Sequence, residues 1–207
     1  MSWLFSTLYD PFMRSSERAC LSDWRAELLQ GATGEVLEVG AGTGANVAFY
    51  GSDVTRLVLS EPDPHMRARL SRRVAKDDLP RAAVSAGEAG LLPFDAASFD
   101  TVVSTLVLCS VPDLARSLAD IRRVLRPGGR LLFLEHVAAD DRPDRLAWQR
   151  RLEPAWLLVS GNCHLTRRTG QAIRDAGFEV EQEKRESMRK ALPFVRASIR
   201  GVARAPR

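Results

Sequence analysis

Residues 38–45 read Glu-Val-Gly-Ala-Gly-Thr-Gly-Ala, and no other stretch constrains the chain as much. A short apolar run at 35–39 enters glycines at alternate positions, and a helix-compatible segment, 45–50, follows. Residues without Cβ permit a tight turn and let backbone approach a ligand closely. A helix opening there would offer its first amide groups to a carboxylate or phosphate. Such a turn belongs at the end of a buried strand.

The rest of the chain supplies the other strands. Apolar runs at 56–60, 82–85, 99–105 and 130–135 alternate with segments of helical period. Asp63 caps a helix that starts with Pro64 and turns Met66, Leu70 and Val74 to one face. Asp113 caps another, with Leu114, Leu118, Ile121 and Leu125 inward, and Pro127-Gly128-Gly129 stops it. Short apolar strands separated by helices pair in parallel, with both faces covered and right-handed crossovers. The last third predicts a helix over 143–156 broken at Pro154, a loop at 161–165, a helix over 166–177, and strands at 178–184 and 194–203. These two strands lie too close in sequence for a helical crossover and should pair antiparallel at the sheet edge.

Ahead of the glycine turn, residues 15–30 have helical spacing that Gly31 ends. Residues 1–14 carry Trp3, Leu4, Phe5, Leu8, Tyr9 and Phe12, too apolar for a free tail. They form a lid over a cleft, a docking segment for a membrane surface, or a packed extension of a single domain spanning 15–207.

The 207 residues are 45% hydrophobic, which suits one packed domain and excludes a largely disordered chain. The net charge is +4, but the arginines are scattered rather than clustered, so nucleic acid is not an expected partner. Cys20, Cys109 and Cys163 fit neither a disulfide framework nor zinc spacing, so no metal is expected and the expected compartment is a reducing cytoplasm. No segment supplies the roughly 18 apolar residues of a membrane span.

Glu61 closes the second strand 21 positions after Gly40, where a carboxylate can accept both hydroxyl protons of a ribose. Gly40-x-Gly42-x-x-Ala45 also fits a dinucleotide fingerprint, so the turn alone leaves NAD and other adenosine-bearing cofactors open. Glu38 sets a carboxylate beside the turn, suited to an ammonium group and repulsive to pyrophosphate. The Tyr-x-x-x-Lys pair of a short-chain dehydrogenase is absent, since Met13 and Val54 follow Tyr9 and Tyr50 at that spacing.

Four ordered motifs, LEVGAGTGAN from Leu37, LVLSEPDPHM from Leu57, AGEAGLLPFDAASFD from Ala86 and RVLRPGGRLLFLEHV from Arg123, resemble those of the class I S-adenosylmethionine-dependent methyltransferases. The resemblance implies an α/β Rossmann-like sheet of seven strands in the order 3-2-1-4-5-7-6, with strand 7 antiparallel and helices on both faces. It implies S-adenosyl-L-methionine as cofactor and S-adenosyl-L-homocysteine as product. Gly40, Gly42 and Gly44 would lie under the methionine and ribose, Glu61 would hold the ribose hydroxyls, and Met66 would pack near the adenine. Glu88 and the Ala89 amide would face the adenine edge, and the chain after Ser104 would close over the sulfonium. Tyr9, Glu38, Asn46, Pro62 and Gly87 complete the implied cofactor set.

Within that class, STLVLCSVPD from Ser104, LEHV from Leu134 and EPAWLLVSGNCHLTRRT from Glu153 are similar to the alkyl thiol S-methyltransferases. Their order also resembles ubiquinone-, menaquinone- and phospholipid-methylating enzymes. The vertebrate thiol enzymes carry a longer apolar N-terminal anchor, so the resemblance implies a soluble relative that uses residues 1–14 as a lid, with membrane contact not expected. The implied acceptor is a small hydrophobic thiol. A thiol of pKa near 8.5 is already several per cent ionised at neutral pH and needs little help from a base. His164, in the Asn162-Cys163-His164 loop, and His136, just past the fifth strand, are the candidate catalytic residues, whereas His65 belongs at the surface. Cys109 and Cys163 read as packing residues, and Trp148, Trp156, Phe5 and Phe12 as walls of an apolar pocket. Lipid or quinone methylation and a non-catalytic cofactor-binding module are the alternatives.

Overall fold

Val36, Leu37 and Val39 belong to β1 (Gly34–Val39), whose four C-terminal residues are all buried. This strand lies inside the sheet, parallel to β2 (Val54–Ser60) on one side and to β4 (Phe99–Thr105) on the other. The fold was obtained as a computed structural model. It describes residues 3–77, 79 and 81–207, with backbone alone for residues 3–8. With β3 (Ala82–Ser85), β5 (Leu125–His136), β6 (Glu179–Ser187) and β7 (Ala197–Arg204), the strands form one sheet in the order 3-2-1-4-5-7-6. Strand β7 runs antiparallel to both β5 and β6, while the other pairs are parallel. Class, order and the antiparallel edge agree with the sequence reading.

Two apolar cores cover the two faces. On one, Leu37, Val102 and Phe133 pack with Leu118 and Ile121 of α4 (Leu114–Val124) and Ile173 of α6 (Thr169–Asp175). On the other, Val36, Leu59 and Leu132 pack with Leu28 of α2 (Ser22–Leu29) and Leu70 of α3 (Pro64–Lys76). Asp63 caps α3 through bonds from the His65 and Met66 amides, and Asp113 caps α4 through the Arg116 amide, as expected of those residues.

Five local expectations need correction. No helix follows the glycines, because Asn46 and Tyr50 are drawn inward to Glu38 and only a 3-10 turn, Val47–Phe49, remains. Pro127-Gly128-Gly129 lies within β5 rather than ahead of it. The pairing jumps from Phe99↔Leu125 to Thr101↔Arg130, so this tripeptide forms a bulge. Pro154 does not break α5 (Pro143–Leu157). Residues 166–168 precede α6 instead of joining it. The N-terminal helix α1 (Trp3–Ser16) crosses the residue 14/15 boundary and continues through a π-helical segment, Glu17–Leu21, into α2.

Candidate active site

Parallel strands in the order 2-1-4-5 place Gly40, Glu61, Leu106 and Val137 along one edge, with a crevice where the order reverses between β1 and β4. Gly40, Gly42 and Gly44 all have positive φ. A Cβ on Gly40 would stand 2.5 Å from Val107, and one on Gly44 would stand 2.9 Å from Leu70. At Gly42, with φ of +58°, it would meet nothing within 4 Å among the described residues. The first and last glycines therefore permit close packing, while the middle one borders open space.

Glu61 turns both carboxylate oxygens to backbone, accepting from the Gly42 and Asp63 amides at 2.8 Å each. Burial nevertheless raises its pKa, with these backbone bonds opposing the rise. The sequence-predicted neighbours divide by position. Met66 is buried on α3, whereas Pro62 and Glu88 are exposed. Gly87 packs against β2, its carbonyl accepting from Ser60 Oγ at 2.7 Å, and the Ala89 carbonyl accepts from Ser117 Oγ at 3.2 Å.

Glu38 is almost fully buried. Burial pushes its pKa up to about 7, against hydrogen bonds donated by Tyr50 and Asn46 and the charge of Arg25. The Tyr50 hydroxyl donates to it at 2.7 Å and the Asn46 amide at 2.9 Å. Arg25 of α2 ties this group to β4, donating to Asn46 Oδ1 at 2.8 Å and to Thr105 Oγ1 at 2.9 Å, and its other end meets Glu17. Across the turn, Asp10 of α1 accepts from Thr43 Oγ1 and Arg69 Nη2, both at 2.7 Å. Sequence reading missed Arg25, Thr105, Asp10 and Arg69, because nothing local marks side chains that meet only after folding.

Beyond Ser104 the backbone is held by a third buried acid. Glu135 accepts from Ser104 Oγ at 2.7 Å and from the Val107 and Cys109 amides at 3.3 and 3.2 Å. The Ser104 hydroxyl thus points to Glu135. A carboxylate in an otherwise apolar strand tail was the legible sign of this acid, as it was for Glu38.

Next to that turn opens a cavity of about 1010 Å³, walled by Tyr9, Phe12, Leu106, Cys109, His136 and Trp156 among others. Burial raises the Tyr9 hydroxyl pKa. His136 meets Cys163 Sγ through Nδ1 at 3.7 Å, and its buried Nε2 has no hydrogen-bond partner among the described residues. His164 does not join them. Its Nδ1 lies 3.2 Å from Glu153 Oε1, and its backbone amide donates to the Cys109 carbonyl. Of the expected walls, Trp148 lines a neighbouring hollow, and the Phe5 side chain falls outside the described residues.

Residues 37–133 match the family model of the methyltransferase domain. The chain is 38% identical to human thiol S-methyltransferase TMT1A over 179 residues, covering 84% of this chain and 72% of that protein. It is 40% identical to human thiol S-methyltransferase TMT1B over 189 residues, covering 87% and 75%. The chain belongs to this methyltransferase family. It is an enzyme that uses S-adenosylmethionine. A solved S-adenosylmethionine-dependent methyltransferase of Thermotoga maritima shares the fold, with a TM-score of 0.72, 20% identity, and coverage of 98% of this chain and 97% of that one. The glycine turn of the methyltransferase fits such a donor: its floor is open at Gly42, and buried carboxylates stand on either side. Among the described residues, no helix is long and apolar enough to cross a membrane.

Proposed function

We propose that the enzyme methylates the sulfur of small hydrophobic thiols and releases S-adenosylhomocysteine. The apolar cavity beside the glycine turn carries this reading. Its polar groups are a histidine, a lysine, an indole N–H, cysteines and hydroxyls, and among the described residues no carboxylate lines it as a base. A phenol or alcohol would need a placed base, whereas a thiol is partly ionised already. The similarity to thiol S-methyltransferases supports the same acceptor.

S-Adenosylmethionine supplies a methyl group on a positively charged sulfur. Gly40, Gly42 and Gly44 would floor its site. Glu61 would face the ribose, with Met66, Pro62 and the segment Gly87-Glu88-Ala89 toward the adenine. Glu38, through Asn46, would set the turn and balance the ammonium charge. Ser104 acts through Glu135 by fixing the chain that separates donor from acceptor. Through Tyr9 and Phe12, which line the cavity, α1 would serve as a lid on the single domain. His136, rather than the Glu153-bound His164, faces the acceptor and can take its proton. Positioning dominates such a displacement, and well-oriented groups supply roughly 7–11 kcal/mol. The cytoplasm is the matching compartment for free thiols.

The test is a methyl-transfer screen with labelled donor across thiols, phenols, amines and phospholipids. Apolar thiols should turn over first. Turnover on a phospholipid alongside failure on every thiol would reverse the assignment.

A further inference from the structure

Cys163 and Cys109 come from separate loops and share one wall of the acceptor cavity. The His164 amide donates to the Cys109 carbonyl at 2.9 Å, strapping the two loops together beside the sulfurs. The pair is asymmetric. Cys109 is 2% exposed and its amide is held by Glu135, whereas Cys163 is more open and its Sγ lies 3.7 Å from His136 Nδ1. Arg167 adds positive charge by donating to the Leu108 and Val111 carbonyls at 2.8 Å each. Hydrogen bonding from Cys109, with His136 next, holds the Cys163 thiol below its ordinary pKa, while the same contact and burial push Cys109 up. A low-pKa thiol beside a higher one is the arrangement of an attacking and a resolving cysteine. Methyl transfer to an external thiol uses neither.

We propose that Cys163 and Cys109 form a dithiol that accepts the substrate in its disulfide form and releases it as the free thiol inside the cavity. The inference rests on the thiol reading above. The Cys163 thiolate attacks one sulfur of R–S–S–R′, so that Cys163–S–S–R forms and R′–S⁻ departs. Cys109 then gives its proton to His136 and attacks the Cys163 sulfur. The Cys109–Cys163 disulfide forms, and R–S⁻ is left in the cavity. The protein dithiol loses two electrons and the acceptor disulfide gains them. A small external thiol, itself oxidised to a disulfide, restores the pair.

The experiment exposes the reduced, full-length protein, without methyl donor, to 4,4′-dithiodipyridine, whose thiopyridone product is followed by absorbance. Wild type should release two thiopyridones per Cys109–Cys163 pair and lose two hydrogens in mass, with the crosslink mapped to those residues by peptide digestion. Cys109→Ser should stop at one release and keep a thiopyridyl adduct on Cys163. Methylation of a reduced apolar thiol by wild type is measured in parallel. If that methylation proceeds but no crosslink or Cys163 adduct forms, the proposal is overturned and the thiol reading stands. Exchange without methylation of any free thiol overturns the thiol reading and the delivery step with it. Should Cys109→Ser fail to fold, the wild-type crosslink decides alone.

Discussion

Asp10 and Thr43 are joined by a 2.7 Å hydrogen bond that fastens helix α1 to the glycine turn. The same carboxylate holds Arg69 of α3, so one side chain links three elements around the crevice. Asp10→Ala should leave the core intact but free α1 from the glycine turn. A charge-assisted bond contributes about 1.5–3 kcal/mol, so donor affinity should fall by roughly 10-fold or more. Calorimetry with S-adenosylmethionine measures it, and an unchanged affinity would remove α1 from the donor site.

Gly40 and Gly42 differ in what lies beyond their missing Cβ. Gly40→Ala drives a methyl into Val107 and should cost stability, about 2 kcal/mol or more from the left-handed backbone and the clash together. Gly42→Ala bears only the backbone cost, about 1–2 kcal/mol, but places its methyl in the open space. Donor affinity should therefore drop more in Gly42→Ala, and the denaturation midpoint more in Gly40→Ala. The opposite ranking would show that the donor does not lie over Gly42.

Glu38 titrates near 7 in the fold against 4.5 for an ordinary glutamate. A raised carboxyl pKa gives stability that is fully present below about pH 4.5 and is lost as pH rises through 7. Urea unfolding of wild type and Glu38→Gln should show the wild type losing up to about 3 kcal/mol relative to the variant between those values. Above pH 7 the difference should be flat. A difference that does not change with pH would mean that Glu38 ionises as an exposed acid does.

His136 and His164 stand apart, one on the cavity and one on Glu153. His136→Ala should lower kcat/KM for an apolar thiol by roughly 10-fold near pH 7, a loss bounded by the several per cent of thiol already ionised there and shrinking as pH nears the thiol pKa. His164→Ala should leave kcat/KM within about 3-fold and appear mainly as lower stability, by about 1 kcal/mol for the lost bond. Steady-state kinetics with thermal unfolding separates the two, and a larger kinetic loss at His164 would return it to the acceptor site.

Strands were readable where an apolar run is bounded by turn residues: 82–85 and 99–105 agree with β3 and β4 at both ends. Elements governed by distant partners were not. The segment after Gly44 has helical composition, yet Glu38 and Thr105 capture its Asn46 and Glu38 captures Tyr50, at sequence distances that no local pattern carries. Pro127-Gly128-Gly129 reads as a stop because a bulge inside a long strand uses the same residues as a turn. The glycines, Glu38 and Glu61 stood out as a motif. The closeness of Cys163 to His136 did not, because it depends on the loop after α5 folding back over β5.

Strand β5 carries Glu135 and His136 in succession, and neighbouring residues on a strand face opposite ways. The acid that anchors the backbone after Ser104 and the imidazole that lines the cavity are thus one peptide bond apart. Length changes in this strand cannot be neutral everywhere. An extra residue at the Gly128-Gly129 bulge can be absorbed there, leaving Glu135 opposite Ile199 and His136 opposite Ser198. One inserted between 131 and 134 would turn both to the opposite faces, setting the acid opposite Ser198 where the imidazole stood, so drift in this strand is free on one side of Arg130 and closed on the other.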